Sequence, residues 1–250
     1  MCLNSVVSIR TRATKALEEH GFHSPKGTAS GVVICVQPNK ALVLSAAHVI
    51  NPMCCLFSPM LKNVPPDLGQ QYRTPAYFNA AFTYELPVLA GQKYEATCVG
   101  YPAEDWPDIG LLKIEGKDFP LSLSALALSR RGSLCGTTPV TIVGYPEGNI
   151  TIVEDTIFEA RSISICPLAE TLITDGHGTR VGFSGGAMIV DNELVGIEVS
   201  GSTRISGSLL FSQNTTRTRG ILYSAIRAQF TLWLQDETVP EDVKAILASL

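Results

Sequence analysis

Short runs of valine, isoleucine and leucine recur along the chain, and each is cut off by Pro, Asn or Gly before a long helix could form. The stretch GVVICVQPNKALVLSAAHVI at 31–50 sets the pattern. Two apolar runs flank Pro38-Asn39-Lys40, which is a hairpin signature. KYEATCVGY (93–101) alternates like a strand, and DIGLLKIEG (108–116) is a short apolar strand closed by glycine. TTPVTIVGYPEG (137–148) ends at Tyr-Pro and Gly, and NITIVEDTIFEARSISI (149–165) reads as further strand. GGAMIVDNELVGIEVSGS (185–202) forms a second hairpin, turning at Asp191-Asn192. Many short strands with frequent turns predict an all-β sandwich or barrel. The two hairpins each begin at a Ser-Gly and turn at an Asn, an echo that suits a duplicated β unit.

Helical signals are confined to the ends. Residues 12–20 read as a short helix, and YSAIRAQFTLWLQ (223–235) carries apolar residues at helical spacing. After Pro240, EDVKAILASL reads as a second short helix with acids at its start. The segment 51–92, rich in Pro, Asn and aromatics, reads as a long loop or insertion.

A chain of 250 residues suits two small domains or a double barrel. With 45% apolar and 17% charged residues it has material for a large core and little tendency to disorder. A net charge of −4 without a dense basic block argues against nucleic acid or an anionic membrane as partner. No apolar stretch is long enough to span a bilayer. The N-terminus lacks a secretory apolar core, since Lys15, Glu18 and Glu19 follow too soon. The expectation is an intracellular, cytoplasmic protein; the sequence carries no signal for an oligomeric state. The C-terminal Ala-Ser-Leu lacks the basic middle residue of a peroxisomal address. The seven cysteines are odd in number and scattered, with no paired C-x-x-C sets. Reduced thiols buried as small apolar groups are expected, with no metal and no cofactor.

Three residues stand out for chemistry. His48, in LSAAHVI, lies at the end of an apolar strand, where a side chain reaches a cleft while its backbone stays fixed. It also has a plain reading as a core histidine. Asp108 directly precedes an apolar strand; it is either a solvated turn residue or a group that orients an imidazole. Ser184 sits in VGFSGGAMIV among glycines 182, 185 and 186. Such glycines let the Gly182 and Ser184 N–H groups converge on a developing oxyanion, although a plain glycine turn has the same composition.

Together these stretches resemble the trypsin-like, chymotrypsin-fold serine peptidases. LSAAHV resembles the family's histidine motif, DIGLL its D-I-A-L-L motif, and GFSGGA its G-D-S-G-G-P motif, in the family's order. ELVGIEVSGS follows where the family has its substrate-binding strand, and the likeness runs in outline over 27–230. It implies two six-stranded antiparallel β-barrels of chymotrypsin type with a C-terminal helix. It divides the chain into 1–122, 123–235 and a helical tail at 236–250. It also implies a Ser184–His48–Asp108 triad, an oxyanion hole from Gly182 and Ser184, and a polypeptide substrate. Gly178, Thr179, Val199, Ser200 and Gly201 would contact that substrate.

Val49 after the histidine, and the Gly-Tyr-Pro in TIVGYPEG, are similar to the HtrA/Deg-type intracellular branch, here without a PDZ domain. Phe183 departs from the secreted relatives, whose aspartate at that place pairs with an N-terminus freed by cleavage. The implication is an enzyme without such activation, its oxyanion loop held by burial of the Phe183 ring. The alternative is a weak or inactive relative that binds peptides. Glu198 is expected to face solvent rather than the pocket, and His177 to be a loop residue rather than a metal ligand.

Overall fold

The computed structural model describes residues 3–19, 28–51, 74–87, 93–102, 107–116, 123–131, 134, 136–161, 171–174, 179–204 and 216–250. Its strands close into two barrels. The first takes β1 (Val6–Ala13), β2 (Ala29–Gln37), β3 (Lys40–Ser45), β4 (Phe82–Pro87), β5 (Lys93–Gly100) and β6 (Gly110–Glu115), in the spatial order β1-β2-β3-β6-β5-β4. The second takes β7 (Pro139–Gly144), β8 (Thr151–Arg161), β9 (Thr171–Thr174), β10 (Ala187–Val190), β11 (Glu193–Arg204) and β12 (Thr216–Leu222), in the order β10-β11-β12-β9-β8-β7. All pairings within them are antiparallel. This is the two-barrel, chymotrypsin-type fold, with helices at the C-terminus.

The barrels share one topology. Read from its first strand, each runs first-second-third-sixth-fifth-fourth around the ring. The duplication is real, but the two hairpins that echo each other in sequence are not equivalent. β2–β3 are the second and third strands of their barrel, whereas β10–β11 are the fourth and fifth of theirs. The shared Ser-Gly and Asn reflect turn chemistry, which any tight hairpin favours.

The short helix expected over 12–20 forms at 15–19, and a strand the sequence reading did not identify precedes it. β1 runs to Ala13, and only one turn, α1 (Lys15–Glu19), follows. Val7, Ile9, Thr11 and Ala13 line one face of β1 at period two, a pattern its charged neighbours Arg10 and Arg12 mask. Part of 51–92 is likewise structured: α2 (Ala47–Ile50) stands just before it, and α3 (Pro75–Ala81) and β4 lie within it. Thr74 caps α3 by accepting the Tyr77 N–H, and Pro75 suits a first helical turn.

The first barrel packs an apolar interior of Val33, Val43, Leu112, Ile114, Phe82 and Leu86, all 1% exposed or less. β1 and β2 contact β7 of the second barrel, so both of their faces are buried in part. Helix α4 (Tyr223–Gln235) ties the halves together. It buries Ile226, Phe230 and Trp233 along one face, and the Trp233 indole donates to Tyr101 O at 3.1 Å. Helix α5 (Glu241–Leu247) docks on the first barrel, with Lys40 bonding Asp242 at 2.9 Å. Cys35 and Cys98 are free thiols on strands; the other five cysteines lie outside the described residues. Among the described residues no helix is long and apolar enough to cross a membrane.

Candidate active site

β3 and β6 run antiparallel with Ser45 opposite Gly110. Continuing the two chains past that pair brings His48 and Asp108, 60 positions apart, onto each other. His48 stands on the single turn of α2 rather than at the end of a strand as expected, because the chain coils as soon as β3 ends. Both oxygens of Asp108 are used. Oδ1 accepts the His48 backbone N–H at 2.9 Å, and Oδ2 lies 2.7 Å from His48 Nδ1. One carboxylate thus caps the start of α2 and orients the ring on it. The side chains are 24% and 21% exposed, open enough for a substrate to reach the imidazole.

Polar groups inside the first barrel hold this turn from below. Thr11 Oγ1 donates to Val49 O at 2.7 Å, and Tyr84 Oη donates to Ile50 O at 3.1 Å. These carbonyls are the helix-end acceptors left without intrahelical partners. The sequence reading missed both residues: Thr11 sits in a strand it did not identify, and Tyr84 in a segment it read as loop.

Ser184 lies on the second barrel, in a loop docked against the first. Ser30 grips this loop: its N–H donates to Ser184 O at 2.8 Å, and its Oγ donates to Gly182 O at 2.7 Å while accepting the Tyr145 N–H at 2.8 Å. Ser45 Oγ donates to Ser30 O at 2.7 Å, so the clamp reaches the strand that leads into His48. The fit demands glycine in the loop. Gly182 has φ +104 and Gly185 φ +85, and a Cβ at Gly185 would stand 2.0 Å from Ser30 O. Ser30 was visible only as the start of a hairpin.

The loop's N–H groups divide cleanly. Phe183 N–H donates to Arg180 O, Gly185 N–H to Glu198 O and Gly186 N–H to Phe183 O. Among the described residues, the N–H groups of Gly182 and Ser184 have no acceptor. Phe183 is 0% exposed, its ring lying where a side chain at Gly144 would go. Burying a ring of that size contributes about 1.5–3 kcal/mol.

Of the expected substrate contacts, Thr179 shares a short hydroxyl–hydroxyl bond with Thr218 of β12. Val199 is buried, and Ser200 pairs with Arg219 across β11 and β12. Gly201 continues β11; the side chain of Ser200 and all of Gly178 and His177 lie outside the described residues. Glu198 overturns its expectation. It is 0% exposed rather than solvent-facing, because it pairs with Gly220 on the buried side of β12. Burial pushes its carboxyl up to about 8; His48 nearby pulls it down and Asp108 pushes it up.

The profile of the trypsin-like peptidase domain matches residues 29–197, which spans β2 through β11 and includes His48, Asp108 and Ser184.

The chain belongs to the trypsin-like peptidase domain family.

Solved structures agree on the fold of this peptidase domain. It is similar to Rv3671c from M. tuberculosis, in a serine-to-alanine mutant in the inactive form. That match has a TM-score of 0.58 and 17% identity, covering 94% of this chain and 89% of that one. A second structure, the Rv3671c protease in its inactive form, matches with a TM-score of 0.55 and 17% identity over 92% of this chain and 89% of that one. No curated protein sequence matches this peptidase domain.

Proposed function

We propose that this peptidase is a serine endopeptidase using Ser184, His48 and Asp108. The observation that carries the reading is the two-point grip of Asp108 on His48, through its amide and its Nδ1. A proton on Nδ1, held by Asp108, leaves Nε2 to act as the base. Ser184 Oγ attacks the scissile carbonyl carbon, and its proton passes to Nε2. The carbonyl oxygen becomes an oxyanion, received by the unpartnered N–H groups of Gly182 and Ser184. The imidazolium then protonates the departing amine as the C–N bond breaks. Water, deprotonated by His48, releases the acyl group and restores Ser184. Thr179, Val199, Ser200 and Gly201, with Gly178, are the proposed contacts to the peptide.

Buried Phe183 and the Ser30 clamp support a loop held in shape without the ion pair that follows chain cleavage in secreted relatives. A fluorophosphonate probe tests the proposal. Wild type should label, and Ser184→Ala should not. A folded wild type that stays unlabelled would leave a peptide-binding role in place of catalysis.

A further inference from the structure

Both carboxyl oxygens of Glu198 are sealed from solvent, and neither makes a hydrogen bond. The side chain lies on the inner face of β11. Gly196 on the same strand and Gly220 opposite Glu198 share that face, and a side chain at either would meet Met188 Sδ. An apolar thioether therefore packs this face and offers the acid no donor. The Glu198 backbone is fastened to the site: its N–H donates to Gly186 O at 2.9 Å, and its carbonyl accepts the Gly185 N–H at 2.7 Å. Gly185 and Gly186 are the two residues after Ser184. The loop that shapes the nucleophile is thus tied to the residue that buries the acid.

Two groups of the first barrel act on this acid through space: His48 favours its ionised form and Asp108 opposes it. On the second barrel, Arg219 belongs to the opposite face of β12 and is exposed, Arg180 of the loop is exposed, and β10 carries no charged residue. An uncharged carboxyl is tolerated in such a place at the cost of unmade hydrogen bonds, whereas a bare carboxylate costs far more. Burial accordingly pushes the carboxyl up to about 8, and it keeps its proton through neutral pH. Once ionised it has to reach water, and its two backbone bonds carry Gly185 and Gly186 along with it. We propose that Glu198 is a positioning residue that holds the Ser184 loop in its catalytic shape only while its carboxyl is uncharged, so that losing the proton turns the carboxylate out to water, displaces Gly185 and Gly186 and switches the peptidase off. This rests on the serine endopeptidase reading above. The proton leaves to solvent and returns from it, so the switch is reversible. It acts at the alkaline end of the pH range, whereas protonation of His48 removes the base at the acid end.

The test uses the full chain and one peptide substrate from about pH 6 to 10, with circular dichroism to show that the fold persists. Wild-type kcat/KM should fall about 10-fold per pH unit above about pH 8 and recover on return to neutral pH. Glu198→Gln and Glu198→Leu, which cannot ionise, should each lose that fall and stay level within about threefold. The shape of the profile is the readout, because a merely structural role would lower activity equally at every pH. In a Ser184→Ala chain, exchange protection of the Gly185 and Glu198 amides, corrected for the intrinsic rise of exchange with pH, should drop about 10-fold per unit over the same window. A wild type that labels with fluorophosphonate and cleaves with a level profile overturns the inference and leaves the endopeptidase standing. So does a folded variant that keeps the wild-type fall, or a protection that does not change with pH. A folded wild type that neither labels nor cleaves at any pH overturns both.

Discussion

The two barrels share a strand order and differ in how they treat polar groups inside. In the first, Thr11 and Tyr84 bond the end of α2, the Cys98 thiol contacts Gly100 O at 3.7 Å, and the one buried hydroxyl left without a partner, among the described residues, is that of Ser8. In the second, Glu198 is left with two orphaned oxygens beneath the Ser184 loop. The dyad differs from the loop in the same way. His48 and Asp108 are assembled wholly within the first barrel, across β3 and β6. The Ser184 loop takes part of its shape from Ser30 and Ser45, which belong to the other barrel. The first barrel holds the His48–Asp108 pair with its own strands. The second barrel's loop leans on its neighbour.

The hardest test of the self-contained half is Asp108→Asn. It should lower kcat about 10⁴-fold, since an amide holds the wrong imidazole tautomer. Kinetics on a peptide substrate, with circular dichroism to verify the fold, would show it. A loss under about 10-fold would mean that the pair does not act as the base.

The dependent half is tested by Ser30→Ala, which leaves Gly182 O and Tyr145 N–H without their hydroxyl partner. Stability should fall by about 1–3 kcal/mol, the cost of orphaned buried groups. We expect kcat to fall on the order of 100-fold, as for a lost oxyanion donor, because Gly182 is free to turn away. A kcat within about twofold of wild type would show that the loop supports itself, and the contrast between barrels would fail.

The smallest effect is a pH dependence of stability that separates the interiors. Glu198 moves from an ordinary 4.5 to about 8 on folding. Between these values the native state keeps a proton that the unfolded chain has lost. Its contribution is therefore full below pH 4.5, declines as pH rises, and levels off above about pH 8. In a Ser184→Ala background, which removes self-digestion, wild type should lose a few °C relative to Glu198→Gln over that range. The buried Cys98 and Tyr84 of the first barrel do not contribute there: burial pushes Cys98 up to about 12 and raises Tyr84 well above its ordinary value, so both stay neutral. A melting temperature difference that is flat with pH would remove the charge from the description of the second barrel.

Much of the fold was legible because strands advertise themselves locally. The hairpins at 31–50 and 185–202 turn where Asn39 and Asn192 place them, and β5 to β7 fall where apolar runs meet Gly and Pro. What misled was local too. Arg10 and Arg12 hid β1, and the Pro- and Asn-rich composition of 51–92 hid α3 and β4, since their burial depends on partners distant in the chain.

The sequence by itself determined the order His48, Asp108, Ser184 and the glycines that the Ser184 loop requires, because short motifs and backbone freedom are properties of adjacent residues. Only the tertiary structure decided what stands opposite them. That Asp108 uses one oxygen on an amide and one on a ring follows from the β3–β6 register. That Ser30 clamps Gly182 follows from the docking of one barrel on the other. Period-two alternation puts Glu198 on the opposite face from Ile197 but does not say what covers each face. Closing the barrel does, and it buries the acid beneath the Ser184 loop.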